Sequence, residues 1–123
     1  MFDTLLQALV VDYDRAWSDE LASCLVDEGF AVHIAHNVKD AFEVCRKHTP
    51  DYLLLDVSLV HENGLDLVDR MHEVGMFAIQ VIVITGNADL ADVVRLRRQG
   101  IEGLMFKPVS PDALKEKLGS SLR

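Results

Sequence analysis

Short apolar runs alternate with amphipathic stretches along the whole chain. Leu9-Val10-Val11, Leu53-Leu54-Leu55, Val81-Ile82-Val83-Ile84 and Leu104-Met105-Phe106 are continuous apolar segments. Strands buried on both faces of a parallel sheet have this character. Between them the apolar positions recur at helical spacing: Trp17, Leu21, Cys24 and Leu25 form one stripe, and Val38, Ala41, Phe42 and Cys45 another. The pattern predicts strands over Gln7–Val11, Ala31–Ala35, a run from Tyr52 into Asp56, Val81–Thr85 and Gly103–Phe106. It predicts helices over Arg15–Glu28, after an Asn37 cap, over a short segment carrying Leu65, Leu67, Val68 and Met71, and over Ala88–Gln99. A last helix opens at Ser110-Pro111-Asp112 and ends near Leu118, while Ser58–Gly64 reads as a loop. Gly29 and Gly100 supply stops, and Pro50 closes the connection into the third strand. Five strands and five helices in strict alternation predict a doubly wound, flavodoxin-like α/β domain, with a parallel sheet in the order 2-1-3-4-5 flanked by helices.

Bulk properties narrow the function without naming it. The 123 residues make one domain, 1–123, with 119–123 as a frayed tail or the start of a linker. A formal net charge of −8 argues against direct nucleic-acid binding, which leaves a basic footprint. No stretch is long and apolar enough to span a membrane, and the start Met1-Phe2-Asp3-Thr4 lacks the features of a signal peptide, so a cytoplasmic location is expected. Cys24 and Cys45 sit in helical stripes, without metal or redox spacing, and read as reduced core thiols.

The candidate chemistry lies where the strands end. Asp12, Asp56, Thr85 and Lys107 each follow or close an apolar run, so a parallel sheet brings all four to its carboxyl edge, where open α/β sheets bind ligands. Clustered carboxylates repel, and either share a proton or recruit a divalent cation. A hard oxygen site with few protein ligands suits Mg²⁺, which keeps several waters and bridges to phosphate. Beside such an ion a carboxylate is able to attack phosphorus and carry an acyl phosphate. Lys107 would then pair with a phosphate oxygen and the Thr85 hydroxyl would bond another.

In this order and at these separations the residues resemble the receiver domain of two-component response regulators. The resemblance spans essentially the whole chain. It rests on the acidic end of the first strand, Leu-Leu-Leu-Asp-Val-Ser around Asp56, the glycine of His61-Glu62-Asn63-Gly64-Leu65, the segment Val81 to Gly86, and Gly100 to Lys107-Pro108. It implies Mg²⁺-dependent transfer of a phosphoryl group to Asp56 from a histidine kinase or histidine phosphotransfer protein. Thr85 and Lys107 would contact the phosphoryl group, with Gly86 and Pro108 shaping the loops and the Lys107-Pro108 bond cis. It also implies a homodimer or an output domain engaged through the fourth helix, fifth strand and fifth helix.

Three features depart from that pattern. Tyr13 stands where the family's main metal-binding acid is expected, between Asp12 and Asp14. The metal ligands implied are therefore Asp12, Asp56 and the Ser58 backbone carbonyl, with Asp14 either swinging in or remaining a solvated acid at the first helix; the Tyr13 phenol is a candidate cover for the site. Leu59-Val60 replaces a methionine-proline pair, and Leu104 replaces the aromatic switch three residues before the lysine. Two other readings follow. One is a pseudo-receiver that binds protein without productive phosphorylation. The other is a haloacid-dehalogenase-type phosphatase using Asp12 and Asp14, opposed by Ala16, by the lack of a late acidic pair and by an unexplained Asp56. His33 and His36 read as surface polarity, His61 as a loop residue near Asp56, and Arg95, Arg97 and Arg98 as either a solvated basic face or a contact for an acidic partner.

Overall fold

The computed structural model describes residues 5–121. Along the chain run β1 (Gln7–Val11), α1 (Arg15–Asp27), β2 (Ala31–Ala35), α2 (Val38–His48), β3 (Tyr52–Leu55), β4 (Ser58–Leu59), β5 (Glu62–Asn63), α3 (Leu65–Glu73), β6 (Gln80–Thr85), α4 (Leu90–Arg98), β7 (Gly103–Phe106) and α5 (Pro111–Ser121). The main sheet has the order β2-β1-β3-β6-β7, and every neighbouring pair in it is parallel. This is the predicted doubly wound sheet.

Alternation along the strands divides the core. Leu9, Val11, Leu53, Leu55 and Val83 pack on one face with Phe42 of α2, Val68 of α3 and Leu96 of α4. Ala8, Val10, Leu54, Ile82 and Ile84 pack on the other with Leu21 and Leu25 of α1 and Leu114 and Leu118 of α5. Because both faces are covered, the strands read as unbroken apolar runs. Each fully buried Leu or Ile contributes about 1.5–3 kcal/mol.

The elements differ from the predicted ones in three places. Helix α4 starts at Leu90 rather than Ala88, since Asp89 takes the cap: it accepts from Asp92 N at 2.8 Å while Asp92 accepts from Asp89 N at 3.2 Å. Helix α5 continues through Gly119 to Ser121, past the expected end at Leu118; a helical glycine costs only about 1 kcal/mol, and buried Leu114 and Leu118 anchor the helix. The tail expected at 119–123 therefore begins as helix, and residues 122–123 lie outside the described residues. The Ser58–Gly64 loop contains the small antiparallel hairpin β4–β5, whose turn includes His61 at φ +60°. None of the described helices is long and apolar enough to cross a membrane.

Candidate functional site

Register brings the strand ends together. Val11 of β1 lies opposite Leu55 of β3, so Asp12 and Asp56 leave the sheet side by side. Thr85 of β6 lies opposite Phe106 of β7, which sets Lys107 just beyond it. The backbone ladder runs on past the strands: Asp12 N donates to Ala35 O at 3.2 Å, Asp56 N to Val11 O at 2.9 Å, and Lys107 N to Thr85 O at 2.9 Å. The groups are thus held by main chain before any side chain contributes.

Asp12 and Asp56 are only 2% and 3% exposed. The Lys107 ammonium bridges them, donating to Asp12 Oδ2 at 2.5 Å and to Asp56 Oδ2 at 2.8 Å. The fully buried Thr85 hydroxyl donates to Asp56 Oδ1 at 2.6 Å, and Ser58 N donates to the same oxygen at 3.0 Å. Burial pushes the Asp12 carboxyl above its ordinary value, against the Lys107 and Asp14 N–H bonds that lower it. For Lys107 burial disfavours the charged form, but the hydrogen bonds and charges of the two carboxylates overcome it and hold the ammonium above its ordinary value. Two buried carboxylates thus face one ammonium, leaving an excess negative charge. Such a carboxylate pair suits a hard cation with few protein ligands, so the donor set fits Mg²⁺. Among the described residues, no group of three or more His, Cys, Asp or Glu side chains is placed to hold a metal.

The remaining candidates fall around this centre. Asp14 is turned away into α1, where its carboxylate caps the helix by accepting from Trp17 N at 3.1 Å. Tyr13 is half exposed at the rim, with 52% of its surface accessible. Gly86 follows Thr85 in open space, and Lys107-Pro108 is cis. Gly64 earns its place by close approach: a Cβ there would run into the backbone carbonyl of Asp56.

Sequence reasoning passed over Trp17 and His36 as site residues. The Lys107 ammonium lies 5.2 Å from the centre of the Trp17 ring. The His36 Nδ1 bonds the Asp12 carbonyl at 2.7 Å. Trp17 counted only as a member of an apolar stripe, yet its place in the first turn after an acidic strand end was the available signal. Arg95 is drawn into the fold, reaching Asp66 Oδ1 at 2.6 Å and Asp69 Oδ2 at 2.8 Å on α3, while Arg97 and Arg98 are exposed.

Comparison with known proteins agrees with this geometry. The family described as "Response regulator receiver domain" matches residues 8–119. The chain belongs to the response regulator receiver domain family. A receiver domain protein (CheY-like) from Methanospirillum hungatei JF-1 superimposes with a TM-score of 0.90 at 28% identity, covering 97% of this chain and 94% of that one. The DNA-binding response regulator MtrA of Mycobacterium tuberculosis is 30% identical over 122 residues, 98% of this chain and 53% of that protein. The Regulator of RpoS of Escherichia coli K12 is 29% identical over 103 residues, 84% of this chain and 30% of that protein. The receiver thus spans about half or less of the length of these two curated relatives. Membership of this family, together with Asp14 in a helix cap, sets aside the haloacid-dehalogenase-type reading of Asp12 and Asp14.

Proposed function

We propose that this receiver takes a phosphoryl group on Asp56 from a phosphohistidine of a histidine kinase or histidine phosphotransfer protein. A carboxylate oxygen of Asp56 forms the new P–O bond as the P–N bond breaks, and the electron pair leaves on the imidazole nitrogen. The observation that carries this reading is a buried Asp56 whose two oxygens are held by the Thr85 hydroxyl and the Lys107 ammonium. Both donors are within reach of a phosphoryl oxygen once it takes the place of the carboxylate they now serve. Asp12, Asp56 and the Ser58 backbone carbonyl would hold Mg²⁺, which when bound supplies charge neutralisation for the developing phosphoryl oxygens. Lys107 supplies the fixed positive charge from the opposite side, and Thr85 reads the product by turning its hydroxyl to it. Asp56 returns to its starting form by hydrolysis of the acyl phosphate, so the domain is a phosphoacceptor rather than an enzyme in its own right.

The surface change would be read at α4, β7 and α5, by a second copy or an attached output domain. Leu90, Val94 and Phe106 are 78%, 42% and 54% exposed there, an apolar surface suited to a partner. The test is modification of Asp56 by acetyl phosphate or beryllofluoride in the presence of Mg²⁺, followed by mass spectrometry. Wild type should be modified and Asp56→Asn should not.

A second reading is favoured by one feature, the use of Asp14 as a helix cap with Tyr13 in place of an acid. It is a pseudo-receiver that binds its partner through the same fold without accepting phosphate. Wild type left unmodified even by its kinase would select this reading and discard the first.

A further inference from the structure

The Lys107 ammonium has three N–H donors and two carboxylate acceptors, and it also lies over the Trp17 ring, whose centre is 5.2 Å away. The first helical turn, which carries that ring, is capped by Asp14. Asp14 Oδ1 holds Trp17 N at 3.1 Å, and Asp14 N is in turn held by Asp12 Oδ1 at 2.9 Å. Bonds to backbone N–H groups thus tie Asp12 to Asp14 and Asp14 to the first turn of α1, while side-chain contacts tie Trp17 to Lys107 and Lys107 back to Asp12 Oδ2 at 2.5 Å. Trp17 is half-buried and packs against the core formed by Leu21, Leu114 and their neighbours, which fixes the ring from its other side.

We infer that Trp17, held against the core in the first turn that Asp14 caps, is a positioning residue for Lys107. An ammonium on a flexible four-carbon stem samples many positions, and a ring face attracts it electrostatically without spending a hydrogen bond acceptor. The ring and the two carboxylates together confine the ammonium between Asp12, Asp56 and Trp17. The kinetic part of the inference rests on Asp56 being the phosphoacceptor; the placement of Lys107 does not.

The test compares Trp17→Leu, which keeps apolar packing without a ring, with Trp17→Phe, which keeps a smaller ring. Two readouts are taken. The first is the NMR shift of the Lys107 ε-methylene protons in the metal-free protein, which the indole ring current displaces. The second is the rate of Asp56 modification by acetyl phosphate with Mg²⁺. Trp17→Leu should lose the ring-current displacement and slow modification roughly 3- to 10-fold, the range a partly desolvated cation–π contact supplies. Trp17→Phe should keep part of the displacement and stay within about 2-fold of wild type. Asp14→Asn, which still caps a helix, should keep both signals, and Asp14→Ala should weaken both. Lys107 resonances unmoved in Trp17→Leu, or moved with no change in rate, would overturn the inference. So would an equal rate loss in Trp17→Leu and Trp17→Phe, which marks packing alone. If wild type is not modified, the Asp56 reading fails, and the Lys107 shifts decide its placement alone.

Discussion

Lys107→Ala isolates what the ammonium does for the fold. It removes the cation that bridges two carboxylates only 2% and 3% exposed, leaving their charges to face each other. Breaking a buried ion pair by removing one partner costs about 3–5 kcal/mol, because the charge left behind is uncompensated. Here two features pull in opposite directions. The residual cluster carries two negative groups rather than one, which raises the cost. The Lys107 side chain is itself 19% exposed, so truncating it lets water reach the carboxylates, which lowers the cost. Taking these as offsetting, the expected loss is about 3 kcal/mol near neutral pH, a large share of the roughly 5–15 kcal/mol that stabilises a domain.

The sign with pH follows from linkage. Burial already holds the Asp12 carboxyl above its ordinary value, and the variant loses the Lys107 bond that opposes this. A raised folded value means that its contribution is present at low pH and is lost as pH rises through the folded value. Urea midpoints of wild type and variant should be well separated near pH 8 and converge towards about pH 5. Millimolar Mg²⁺ should also narrow the gap in the variant by neutralising the same charges. A destabilisation equal at both pH values would refute the reasoning, since it would mark lost packing rather than unpaired charge. No destabilisation near neutral pH would refute it more directly.

Four further outcomes are expected. Gly64→Ala places a methyl against the Asp56 carbonyl and should cost about 1–3 kcal/mol, whereas Gly86→Ala, whose added carbon meets nothing within 4 Å, should be near neutral; chemical denaturation of the pair checks this. Arg95→Met should cost about 0.5–1 kcal/mol and lose most of that effect in high salt, because the guanidinium is partly solvated and its partners on α3 are about half exposed. The Asp69 carboxyl, held below its ordinary value first by Gln99 and then by Arg95, contributes stability above the unfolded carboxylate range that is lost as pH falls through its folded value, which denaturation below about pH 4 measures. His33 is held below its ordinary value by burial and then by His48, whose ring stacks on it with centroids 4.2 Å apart. Its contribution should be present above the unfolded value and lost as pH falls through the folded one; a histidine NMR titration showing no depression for His33 would count against this.

The fold was legible because its strands are buried on both faces and therefore announce themselves as apolar runs. Asp12, Asp56, Thr85 and Lys107 were legible for the same reason, since each interrupts or closes such a run. The hairpin after Asp56 was not. Its turn, Val60-His61, has none of the glycine or asparagine that marks a tight hairpin, and His61 takes a positive φ of 60° within it. Arg95 was read with Arg97 and Arg98 as one basic cluster because the three are close in sequence. On the helix, Asp92, Arg95 and Gln99 instead share the side that meets α3, where they bond Asn63, Asp66 and Asp69. Choosing between these requires knowing that α3 and α4 are neighbours, which local pattern does not supply.

Asp12-Tyr13-Asp14 shows how much one residue of displacement matters. At the end of β1 the chain is leaving an extended ladder and entering a helix, so each successive position faces a different environment. Asp12 still has ladder geometry, with its N–H on Ala35, and its carboxylate faces Lys107. Asp14 has reached the N-cap position, with φ −79° and ψ 107°, and a carboxylate there is captured by the free N–H groups of the first helical turn. The position between them holds Tyr13, whose side chain is half exposed. An acid moved by one residue is therefore not an acid moved by a few ångströms: it exchanges a place at the cluster for a place in the helix cap. The negative charge available to a cation in this receiver consequently comes from Asp12 and Asp56, the same two groups that Lys107 already bridges. Any cation drawn to this centre would therefore meet carboxylates whose Oδ2 atoms Lys107 already holds.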